Sequence, residues 1–282
     1  MSLRTISLAL ISNGGPDPAA VVRYALDLTG YARAHLLVRI AVPPLIVPTL
    51  GYPFPSVGPQ IQTMIEQEDV ERREWAEQMA SMIQMEAEKL SATATVEVLS
   101  AAYDSLTPHL IRMARGSDIC IMLAPSYTER QQRDILLDML FGSGGPLLLV
   151  PTNWKKRGPA RRAVVAWDGS ACAARAVRDA LPLLAYTESV EVLSVLGEKD
   201  IGAGTGSDIA RHLARHCREV AVEVLPLGQS GIAATLLARA MLTEADMMVM
   251  GGYGHSRLRE FVLGGATRDT LARTDIPTLL SH

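Results

Sequence analysis

The sequence predicts an α/β fold in two tandem halves, each a doubly wound, five-stranded parallel sheet. Three observations carry this. A pattern of strand, tight loop and helix recurs with a period close to half the chain. Short Val/Ile/Leu/Met runs suit strands buried on both faces. The 282 residues are enough for two domains with a core each. Hydrophobic residues make up 48% of the chain and aromatics only 5%, as expected of an aliphatic core under Ala-rich helices.

Taken in order, Ile6 to Ile11 reads as a strand, followed by a Gly/Pro turn and a helix from Ala19 to Tyr31. The second half repeats this with Ala163 to Trp167, the turn Asp168-Gly169-Ser170 and a helix from Ala173 to Leu184. Val96 to Ser100 matches Val222 to Pro226, and Ser117 to Met122 matches Ala245 to Met250. Each half closes on a short apolar strand after a proline, Leu147 to Val150 and Thr278 to Leu280. Strands alternating with helices require right-handed crossovers and parallel pairing. The halves differ in the middle. The first carries the Pro/Gly-rich stretch from Pro43 to Pro59 and a long amphipathic helix from Met64 to Leu90. The second has a short helix, Ser207 to Cys217, with Ser207 or Asp208 as its cap. The boundary falls near Pro151 to Pro159, giving domains at 1–152 and 160–282. Methionines such as Met79, Met82, Met241, Met247 and Met248 read as core.

A formal net charge of -3 argues against a nucleic-acid partner, whose phosphates demand clustered Lys and Arg. The one basic cluster, Lys155 to Arg157 with Arg161 and Arg162, reads as a solvated linker. Cys120, Cys172 and Cys217 are scattered, which predicts neither a disulfide framework nor a cysteine zinc site. No segment is long and apolar enough to span a membrane, and Met1 leads into a strand without a signal-peptide pattern, so the expectation is a cytoplasmic protein.

The segment richest in chemistry runs from Met250 to Thr267. Gly251 and Gly254 allow a sharp turn at a strand end, and Gly264 and Gly265 precede a helix whose first N–H groups are free, an arrangement that suits an anion. With this spacing the chain resembles the universal stress protein family, whose nucleotide-binding members carry G-x-x-G, nine residues, then G and Ser or Thr. Gly251, Gly254 and Gly264 match; Gly265 stands where the family has the hydroxyl residue. The resemblance is strong from Arg162 to His282 and weaker in the first half. It implies a Rossmann-like fold of the adenine nucleotide α-hydrolase type. It also implies a site for ATP, or AMP or ADP, with Mg²⁺ as an accompanying ion. Asp168, with Ala166 and Trp167 before it, corresponds to the nucleoside end of that site, and the Val195 backbone to the adenine edge. Met250, Gly251, Gly254, His255, Gly264, Gly265, Ala266 and Thr267 correspond to the phosphate loop. The resemblance further implies that the halves pair through their last strands, with a homodimer as a further possibility.

The first half lacks these glycines. Ala124-Pro125-Ser126-Tyr127 stands where Gly251 to Gly254 do, and Asn13 or Gly14 where Asp168 does, so no phosphate site is expected there. Ser12 to Asp17 resembles a pyrophosphatase loop but reads better as a Pro/Gly turn. His212 and His216, four apart, are read as surface residues rather than metal ligands, while His255 is either a phosphate partner or a solvent-facing loop residue. The expected function is non-enzymatic nucleotide binding. The alternatives are a slow ATP hydrolase, for which Asp168 and His255 are the available bases, and an adaptor that no longer binds nucleotide.

Overall fold

In a computed structural model of the chain, β1 (Thr5–Ile11), β2 (His35–Val42), β3 (Thr93–Ser100), β4 (Ile119–Leu123) and β5 (Leu147–Val150) pair in the order β3-β2-β1-β4-β5. The second half repeats that order as β8-β7-β6-β9-β10, with β6 (Arg162–Ala166), β7 (Ser189–Leu196), β8 (Val220–Pro226), β9 (Met247–Gly251) and β10 (Thr278–Ser281). The structure describes residues 2–12, 15–45, 58–100, 103–125, 130–196, 206–252 and 265–282, with backbone alone at 58–60, 103–104, 130–131 and 265–266. Within each half every pairing is parallel. β5 and β10 pair antiparallel, Leu148 opposite Leu279, which joins the halves into one ten-stranded sheet.

The helices are α1 (Ala19–Ala32), α2 (Gly58–Lys89), α3 (Tyr103–Arg115), α4 (Arg130–Gly142), α5 (Ala171–Leu184), α6 (Ser207–Leu213), α7 (Gly231–Leu242) and α8 (Gly265–Arg273). The central strands are apolar on both faces because helices cover both: β5 and β10 are buried throughout, whereas edge strands β3 and β8 are only partly covered. On one face Leu8, Ile40, Val165 and Val249 pack with residues of α1, α2 and α5, such as Val21, Ile83 and Val177. On the other, Met122, Leu149, Val164 and Met250 pack with residues of α3, α4, α7 and α8, such as Leu110, Met139, Leu236 and Leu271.

Repetition extends to single hydrogen bonds. Asp118 accepts from the amides of Arg4 (2.6 Å) and Thr5 (2.8 Å), and Asp246 from those of Arg161 (2.9 Å) and Arg162 (3.0 Å). Ala9 lies opposite Met122 as Ala166 lies opposite Met250. This register places Leu123 at the position of Gly251 and Ile11 at that of Asp168. The correspondences expected from sequence, Ala124 and Asn13 or Gly14, are therefore one and two or three residues too late: a sequence alignment by eye has no ladder to fix it.

Three other expectations are corrected. α6 ends at Leu213, well short of Cys217, and is preceded by Gly206 at φ 109° with no side-chain cap. Leu213 is its one buried side chain, so little packing sustains a longer helix. Met241, at the end of α7, is exposed. The basic linker is not simply solvated. Lys156 pairs with Asp246, Arg157 with Asp27, Arg161 with Glu188 and Arg162 with Glu244, so the linker is pinned to both halves.

Candidate functional site

In the second half β6 connects through α5 to β7 on one side, and β9 returns to β6 on the other. The carboxyl ends of β6 and β9 therefore flank a topological switch point, where open α/β sheets bind ligands. Ala166 is the register partner of both Met250 and Leu193. Ala166, Val195 and Met250 belong to one apolar cluster, with α7 and α8 residues above them, and Val195 and Met250 are buried. The Trp167 amide donates to the Leu193 carbonyl (2.8 Å) and Ser194 Oγ to the Trp167 carbonyl (3.0 Å), which holds the chain beside β7 for one more residue.

Asp168 then turns the chain into α5. Its Oδ1 accepts from the Ser170 amide (3.0 Å), Gly169 takes φ 73°, and Ser170 Oγ caps the helix by accepting from the Ala173 amide (3.1 Å). The half-buried carboxylate thus has a structural task at the mouth of the crevice.

Gly251 is a close-approach glycine, but the neighbour on its side-chain side is protein. A Cβ there would stand 2.6 Å from Ala173 N and 2.8 Å from Cys172 C, so the first turn of α5 crosses directly over the end of β9. At Gly252 a Cβ would meet Leu140 Cδ2 of α4 at 2.9 Å. The Gly252 amide donates to the Ser281 carbonyl (2.7 Å), and His282 Nδ1 lies 3.0 Å from the Gly252 carbonyl. Phe141 meets the His282 ring edge-on, centroids 4.5 Å apart. Cys172 Sγ lies 3.9 Å from His282 Nδ1. Sequence reasoning missed Gly252, Cys172, His282 and Leu140; the signal for Gly252, its pairing with Gly251, was visible, but the partners meet only through the fold.

α8 begins at Gly265, so its first-turn amides have no acceptors within the helix, and the positive end of its dipole lies there. Thr267 is buried two residues on. This donor set suits a phosphate. Gly254, His255 and Gly264 lie outside the described residues, as does the side chain of Ala266. The His212 and His216 rings are 4.9 Å apart, and among the described residues no group of three or more His, Cys, Asp or Glu could hold a metal ion. Nor, among them, is any helix long and apolar enough to cross a membrane. A cleft of about 710 Å³ opens in the first half, at the carboxyl ends of β1 and β4.

A model described as the Universal stress protein family matches residues 159–282. A search of curated proteins gives no match. Among solved structures, a universal stress protein from Archaeoglobus fulgidus aligns with TM-score 0.69 and 17% identity over 98% of this chain and 95% of its own. A functionally unknown protein from Pseudomonas aeruginosa aligns with TM-score 0.57 and 13% identity over 99% of this chain and 92% of its own. At such identities the likeness is one of fold, and it spans both Rossmann-like halves. The second half of the chain, residues 159–282, is a domain of the universal stress protein family.

Proposed function

We propose that the second half binds one adenine nucleotide, ATP with AMP or ADP as alternatives, and that the chain is a cytoplasmic, nucleotide-responsive stress protein rather than a catalyst. The observation that supports this reading is the switch point itself: β6 and β9 pair side by side, with Asp168 just past the end of β6 and Gly251 closing β9, and α8 is the helix that follows β9 in the chain. Asp168 and the Val195 backbone hold the nucleoside, and the amides of α8 hold the phosphates with Mg²⁺ accompanying them. The glycine spacing of 251, 254 and 264 supports the same placement. Gly252 and His282 lie against Leu140 and Phe141 of α4, so occupancy at the end of β9 is felt in the first half. That half, paired through β5 and β10, is a built-in partner.

The test is an ATP titration of Gly254→Val and Gly264→Val, with circular dichroism to confirm folding. Both are expected to lose binding while keeping the fold, because a side chain at either glycine intrudes on phosphate space or distorts the backbone. A folded Gly264→Val protein that binds ATP as the parent does contradicts the placement. A phosphate-release assay on the parent protein is expected to show no turnover; sustained release would make it a hydrolase.

A further inference from the structure

The structure assigns a second ligand site to the first half, for a small organic cation with an apolar body. The cleft of about 710 Å³ lies at the carboxyl ends of β1 and β4, the counterpart of the β6/β9 crevice, and its volume is that of small-molecule sites. Its chemistry is different. Ile11 and Leu123 line it at the positions held by Asp168 and Gly251 in the second half, so an acid and a glycine are replaced by two aliphatic walls.

The cover is α2, which has 32 residues where α6 has 7. Met64, Gln67, Glu68, Glu71, Arg72 and Trp75 line the cleft, and steps of three and one along the helix put them all on one face. Further along α2 the buried Ala76, Ile83 and Ala87 anchor the helix in the core. The face over the cleft is therefore a presented surface on a fixed element.

Charge decides the class of ligand. Among the described residues, the lining carries Asp17, Glu68 and Glu71 against one cation, Arg72. That cation faces inward: Arg72 is buried, its Nε donates to the Ser12 carbonyl at 2.9 Å, its Nη2 donates to the same oxygen, and its Nη1, without a hydrogen bond among the described residues, is ion-paired with Asp69 Oδ1 at 3.5 Å. Asp17 is also occupied, accepting from the Ala19 amide at 2.9 Å. Glu68 and Glu71 stand exposed at the mouth. Among the described residues of the lining, a phosphate would meet two exposed carboxylates at the mouth and a single cation, Arg72, that is buried and turned to Ser12 and Asp69. A cleft walled by one sign of charge concentrates the opposite ion, and the Trp75 ring is a natural wall for it. An ammonium group answers Glu68 and Glu71 while its apolar body fills the space between Trp75, Met64, Met122 and Leu136.

Calorimetric titration of the full chain with 1-naphthylmethylammonium, 1-naphthylmethanol and 1-naphthoate, three probes of one shape and different charge, tests this. The ammonium should bind tightest, by about fivefold over the alcohol for carboxylates this exposed, and the naphthoate weakest. Glu68→Gln combined with Glu71→Gln should reduce the ammonium to the level of the alcohol and leave the alcohol unchanged. Trp75→Ala should weaken both. Naphthoate binding as tightly as the ammonium, indifference to the double substitution, displacement of the ammonium by ATP, or no binding by any probe at millimolar concentration would each overturn the assignment. The titration needs no nucleotide, so it stands or falls apart from the site in the second half.

Discussion

Gly251 and Gly252 are adjacent and face different obstacles. Alanine at Gly251 drives its Cβ into the backbone of α5, which cannot swing aside, whereas alanine at Gly252 meets the tip of the Leu140 side chain, which can. Gly251→Ala is therefore expected to cost about 1–3 kcal/mol, the range for overpacking a tight site, and Gly252→Ala clearly less; denaturant melts of the two variants check the order. Gly251 was legible as a glycine that something approaches closely, but not that α5 does the approaching, because that contact is made across the sheet. Gly265 opens α8, so a serine there takes helical angles and restores a hydroxyl at the helix start. A hydrogen bond to a charged group contributes about 1.5–3 kcal/mol, so Gly265→Ser should tighten ATP binding about tenfold or somewhat more, and equal or weaker binding contradicts the phosphate-donor role. Burial raises the Cys120 thiol from 9.0 to about 11 against a smaller opposing hydrogen bond from Ser7, and burial also raises Cys217. Cys172, partly exposed, should thus be the thiol that iodoacetamide labels in the native protein, as mass spectrometry would show. A thiol whose folded value is raised contributes its stability in full below pH 9.0, and that contribution is lost as pH rises toward 11.

At the scale of elements, strand positions were readable because each is a short apolar run between turn signals: Leu147–Val150 is bounded as expected, and Ala171–Leu184 begins two residues earlier, where Ser170 caps it. What sequence could not supply was register. The equivalence of Ile11 with Asp168 and of Leu123 with Gly251 emerges only from the strand ladder and the paired Asp118 and Asp246 anchors. Helix ends that depend on tertiary packing also escaped, as at α6. Asp246 ties the amides of Arg161 and Arg162 at the start of β6, and the Lys156 ammonium, to the start of β9, and its side chain is almost wholly shielded. Asp246→Ala should destabilise the protein by about 3 kcal/mol or more, since each hydrogen bond to a carboxylate contributes about 1.5–3 kcal/mol and the amides would be left buried. Arg157→Ala, at an exposed ion pair, should cost about 1 kcal/mol at most.

Across the whole molecule, the two halves share one ten-stranded sheet and one pattern of anchors, yet their switch points have diverged in opposite directions. One has an acid, Asp168, and a close-approach glycine, Gly251; the other has aliphatic walls, carboxylates at its rim and a long helix as cover. Sequence reading pointed to the first through glycine spacing and the carried-over positions, of which Gly254, His255 and Gly264 lie outside the described residues, but it could not see the cleft, whose walls come from β1, β4, α2 and α4 and carry no motif. The central claim is that nucleotide binding resides in the second half alone. Its most direct test is isothermal titration of the full chain with ATP in the presence of Mg²⁺. The account predicts one site per chain, abolished by Gly264→Val and unaffected by Glu68→Gln with Glu71→Gln; two sites per chain, or none, would contradict it.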